Sequence, residues 1–102
     1  MPEVTRLLDL VTAQSGAVVS RTLIKKKAGT VTLFAFDAGE GLSEHTAPYE
    51  ALVVILDGQA EVSVEGVPHE VGAGQMITLP ASRPHALRAI TPFTMMLIMI
   101  RE

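Results

Sequence analysis

From Val18 onward the chain breaks into short runs rich in Val, Ile, Thr and Phe, punctuated by Gly, Pro and Asp. The runs are Val18–Ile24, Val31–Phe36, Ala51–Leu56, Ala60–Val64, Val67–Val71, Met76–Leu79, His85–Ile90 and Thr94–Ile100. Runs spaced this evenly, with no helical periodicity between them, predict strands of an antiparallel sandwich or barrel. Val62 and Val64 alternate with Glu61, Ser63 and Glu65, so that strand has one wet face. Asp57-Gly58 reads as a tight two-residue hairpin, and Glu65-Gly66 as a weaker version of the same turn. Lys25, Lys26 and Lys27 precede Ala28-Gly29-Thr30 and predict a solvated hairpin tip.

Before Gly16 the period changes. Val4, Leu7, Leu8 and Val11 fall at i, i+3, i+4 and i+7, which predicts one short helix within residues 1–16, packed on the core or against a partner subunit. Residues 17–102 then form the barrel of a single domain. Two runs, Ala51–Leu56 and Met95–Ile100, are apolar on both faces and so must be covered on both. For the last strand, MMLIMI, another subunit is the natural cover, and a homodimer is expected.

Composition narrows the class. At 102 residues, with 48% hydrophobic and 19% charged side chains, the chain has enough apolar mass for one globular core. It contains no cysteine, which excludes a disulfide framework and a thiolate metal site. A net charge of −3 argues against a nucleic-acid surface. Glu3, Arg6 and Asp9 interrupt the N-terminal apolar pattern, unlike a signal peptide, and no run is long enough to span a membrane. The expectation is a cytoplasmic protein with neither nucleic-acid nor membrane partners.

The candidate chemistry lies in two segments, Gly39–Gly58 and Gly74–His85, each pairing a histidine-bearing polar stretch with an apolar strand. His45 and His85 both sit at strand entries, where one pocket can hold them. His69, beside a Gly-Ala-Gly turn, reads as a surface residue. Glu50 is the carboxylate near His45 at the start of a buried strand. With both histidines it would make a two-His-one-carboxylate set of the kind that holds non-haem Fe(II) or Mn(II). Alternatively it points out of the barrel, and Pro48 interrupts the parity that would decide. Ser43 and Ser82 lack the glycine pattern of a nucleophile elbow, and no phosphate-cradling or dinucleotide glycine loop is present. Arg83 and Arg88 flank His85 and either meet an anionic ligand or stay solvated.

These two segments resemble the paired motifs of the cupin superfamily. Gly39, five residues and His45 match the start of the first motif, which Gly58 closes; Gly74, Pro80 and His85 match the second. The resemblance covers nearly the whole chain. It implies an all-β fold, a small double-stranded β-helix (jelly-roll) barrel, with a pocket inside and a dimeric assembly. The chain departs from the pattern at three places. Ala47 stands where the first motif has its second histidine, Ala51 where it has its acidic ligand with Glu50 one residue early, and Ser82 where the second motif has a glycine.

Two functional readings follow. In the first, the barrel binds a small molecule among Phe34, Phe36, Tyr49, Val53, Ile55, Met76 and Leu87, oriented by His45 and His85, with a weak or absent metal site. In the second, His45, Glu50 and His85 hold one divalent ion (Fe, Mn, Ni or Zn) for dioxygenase, isomerase or decarboxylase chemistry.

Overall fold

The computed structural model describes residues 2–101 and contains nine strands. In chain order these are β1 (Val18–Lys26), β2 (Gly29–Phe36), β3 (Gly41–His45), β4 (Glu50–Asp57) and β5 (Gln59–Val64). They are followed by β6 (Val67–Gly72), β7 (Met76–Leu79), β8 (His85–Ala89) and β9 (Phe93–Ile100). A five-stranded sheet runs β1-β2-β9-β4-β7 and faces a four-stranded sheet running β3-β8-β5-β6, with every pair antiparallel. This is the double-stranded β-helix expected.

The core lies between the two sheets. Phe36, Val53, Ile55, Val62, Leu87, Phe93 and Met95 are buried there, and the Phe36 and Phe93 rings stack 4.5 Å apart. In β4 the buried positions are Ala51, Val53 and Ile55, alternating with Glu50, Leu52 and Val54 on the outer face. The run is apolar on both faces because the outer face also carries cover. Leu10, Val11 and Ala13 pack over Leu33, Ala35, Leu56 and Met96 there.

That cover does not come from the helix expected over residues 1–16. Only Leu7–Asp9 form a single 3-10 turn, while Val4, Leu7 and Leu8 of the predicted stripe are exposed. Met1 of that expectation lies outside the described residues. Arg6, at the entry to the turn, is extended and offers no side-chain cap, so a nucleus this short has nothing to propagate it. The segment is held instead by burial of Val11 and by the Gly16 N–H, which donates to the Asp37 carboxylate at 2.7 Å.

The two glycine turns exchange roles. Glu65 and Gly66 both take positive φ, 51° and 79°, and close the β5–β6 hairpin as a turn needing two left-handed residues should. Asp57-Gly58 is not a hairpin, because β4 and β5 belong to different sheets. Gly58 alone has positive φ there, and a Cβ on it would collide with the backbone of Pro92 and Phe93 at this corner. One strand, β3, escaped the hydrophobic pattern altogether: GLSEH is largely exposed.

Candidate functional site

The site is built where β3 meets β8. Leu42 pairs with Leu87, and both line the cavity between the sheets. From Leu42 to His45 is three residues, whereas from Leu87 back to His85 is two. The register shift between them marks the additional residue on β3. Such a bulge reverses the side-chain phase of one strand against its partner. As a result His45 and His85 turn to the same side, their Nε2 atoms 3.1 Å apart and their rings nearly perpendicular at 72°.

Each ring is oriented by its own backbone. His45 Nδ1 lies 2.8 Å from the Ser43 carbonyl and His85 Nδ1 3.2 Å from the Arg83 carbonyl. A carbonyl only accepts, so both Nδ1 atoms carry hydrogen. His85 is 7% exposed whereas His45 stands exposed at the rim. Burial pushes the His85 imidazole below its ordinary pKa; the backbone bond to Arg83 opposes this and the neighbouring His45 adds to it.

Around the pair the walls are apolar. Leu79, Leu87, Met95, Leu97 and Met99 close the interior, and Tyr49 stands at the edge with the Arg101 guanidinium 5.0 Å from its ring centre. The cavity holds about 50 Å³. Ala47 and Ala51 both line it, so the places of the two departing motif residues border free space. The two motif loops are tied together by the Ser82 N–H, which donates to the Ala47 carbonyl at 2.7 Å. Ser82 takes φ 61°, the left-handed conformation a glycine adopts easily.

Of the residues expected around a ligand, Tyr49 and Leu87 line the cavity. Phe34, Phe36, Val53 and Ile55 do not: Phe36, Val53 and Ile55 are buried in the core between the sheets, and Phe34 packs partly buried against it. Met76 faces outward, 55% exposed, beside His69 and Gln75. The strand register that separates these groups is what the sequence pattern lacked. Leu42, Leu79, Met95, Leu97 and Met99 were missed for the same reason.

Glu50 stands apart from the histidines. Its neighbour Ala51 is buried toward the cavity, and Glu50 itself is exposed on the outer face with Leu52, Ile98 and Ile100. Arg83 and Arg88 pair on the surface with Glu65 and Glu61, at 3.1 and 3.4 Å.

A divalent ion about 2.1 Å from both Nε2 atoms would subtend roughly 95° between them, which is acceptable to most coordination shells. Yet among the described residues no group of three or more His, Cys, Asp or Glu side chains stands ready to hold an ion. A catalytic site takes about three protein ligands and a structural site about four. Two imidazoles do not fit a resident metal centre.

Comparison with known proteins agrees with this architecture. The cupin domain family model matches residues 32–101, and the chain belongs to that family. It is similar to protein SchB of Streptomyces halstedii, 32% identical over 73 residues that make up 71% of this chain and 53% of that protein. The chain thus spans about half the length of this curated relative. Among solved structures, a conserved protein of unknown function from Streptococcus pyogenes is 33% identical, with a TM-score of 0.95 over 100% of this chain and 90% of the other. A cupin 2 conserved barrel domain protein from Leptotrichia buccalis is 38% identical, with a TM-score of 0.90 over 93% of this chain and 46% of the other.

Proposed function

We propose that the barrel binds a small, largely apolar molecule at the His45–His85 mouth, with the two Nε2 atoms as its polar anchor. The observation that carries this reading is the convergence of two imidazole nitrogens on a cavity otherwise lined by Leu, Met and Ala, with Tyr49 at its edge. Few convergent polar groups in an apolar concavity are the ordinary make-up of a ligand site. The metal-dependent reading lacks comparable support, because Glu50 would have to cross from the outer face of β4 to join the histidines.

Isotope-labelled protein titrated with a library of small neutral fragments tests the proposal. Hits should shift the amides of Leu42, Leu79 and Leu87 together with the ring nitrogens of both histidines. If every hit instead maps to the outer sheet face, the barrel mouth is not a ligand site.

The same reading includes a homodimer. Beyond the reach of Leu10, Val11 and Ala13, the outer face of the five-stranded sheet presents Ile98 and Leu52 half-buried and Ile24 and Ile100 exposed, at 52% and 55%. A second copy packed on that face would cover it as the N-terminal segment covers the rest. No described helix is long and apolar enough to cross a membrane.

A further inference from the structure

The two Nε2 atoms make an unusual anchor, because each is an acceptor facing an acceptor. With both Nδ1 hydrogens committed to the Ser43 and Arg83 carbonyls, each imidazole in its uncharged form turns an Nε2 lone pair to the 3.1 Å gap. An organic molecule that occupies the mouth must therefore bring donors.

The surroundings restrict what kind. Among the described residues no carboxylate lines the cavity, so a cationic head would lie there without a counter-charge from them, and an anionic head would meet two lone pairs. One neutral hydroxyl brings a single proton and leaves the other lone pair unpaired. A single amino nitrogen at hydrogen-bonding distance from both acceptors would see them roughly 65° apart, much narrower than its own N–H directions, so one bond would be badly bent. Two hydroxyls on adjacent carbons, held gauche, instead lie side by side at a spacing close to that of the nitrogens. Each can then donate along its own line.

We propose that His45 and His85 form an acceptor fork for a vicinal diol, which enters with both hydroxyls toward the Nε2 atoms and its short carbon chain against Leu79, Leu87 and Met99. The inference rests on the small-molecule reading above and gives that site its ligand class. A cavity of about 50 Å³ admits only a few heavy atoms, so the diol is a small aliphatic compound or the head of a longer one reaching out past Tyr49.

The test uses metal-free protein labelled with 15N-histidine, kept in chelator at neutral pH and titrated with 1,2-butanediol and, separately, 1-butanol. The diol should move the Nε2 resonances of both rings together and bind at least about tenfold tighter than the monohydroxy compound, the equivalent of one added hydrogen bond. In His85→Phe that advantage should vanish; the wild-type ring shifts stand as a readout even if this variant does not fold. Equal affinity for the two probes would overturn the diol inference while leaving the small-molecule site intact. If neither probe moves either ring, both the inference and the site fall.

Discussion

Glu50 and Ala51 are consecutive in β4 and face opposite ways: Ala51 lines the cavity beneath the two histidines, and Glu50 stands in solvent on the outer face. Glu50, one residue from the acidic position of the motif, is thereby turned away from the cavity by strand alternation alone. A one-residue difference in position thus separates a three-ligand metal set from a pair of imidazoles in an apolar mouth.

This relationship can be reversed by design. Ala47 and Ala51 both border the cavity, so Ala47→His combined with Ala51→Glu places two further donors around the Nε2 pair. The double variant should bind Zn or Ni at least about 100-fold more tightly than the wild type, because it rises from two to about four ligands. Glu50→Gln should leave metal affinity unchanged. Metal titration with a competing chromophoric chelator measures both; wild type matching the double variant, or loss of affinity in Glu50→Gln, would show that Glu50 turns inward.

Stability should fall on acidification in a way traceable to His85. Its folded-state pKa is lowered by burial, so below the ordinary value of 6.5 the unfolded chain takes up a proton that the fold resists. The contribution is fully present above that pH and is lost as pH falls through the lower, folded-state value. His85→Phe should therefore flatten the dependence of urea midpoint on pH in this window. An unchanged slope would mean that His85 does not carry the effect.

Ser82 tests the turn that ties the motif loops. Its φ of 61° is tolerated by a small polar residue and resisted by a β-branched one. Ser82→Val should lower stability by about 1–2 kcal/mol, and Ser82→Gly should stay within about 0.5 kcal/mol of wild type. Equal losses in urea denaturation would point to the lost hydroxyl rather than the backbone.

The outer sheet face gives a separate prediction. Ile98 lies half-buried on it, outside the patch that Leu10, Val11 and Ala13 cover. Wild type should scatter light as a dimer at micromolar concentration, and Ile98→Glu as a monomer with unchanged circular dichroism. A dimer that survives this substitution assembles through another surface.

Much of this molecule can be read from its residues. The apolar runs mark the strands other than β3 to within a few residues, and His45 and His85 are recognisable as a converging pair. Three features escape the pattern because they depend on contacts between strands. The β3 bulge that turns His45 inward has no local signature in GLSEH, where Ser43 and Glu44 look like any polar turn. The N-terminal stripe fits a helix, yet only Val11 finds a core to enter. Asp57-Gly58 has hairpin chemistry but serves as a corner, since β4 and β5 part into different sheets.

The measurement that addresses the central claim most directly is a crystal structure of the metal-free protein soaked with 1,2-butanediol, followed by a second soak with a divalent metal salt. The account predicts density for the diol with one hydroxyl against the Nε2 atom of His45 and the other against that of His85, and Glu50 still on the outer face after both soaks. An ion bound by both histidines with the Glu50 carboxylate turned in beside them, and a mouth that takes up no diol, would contradict it.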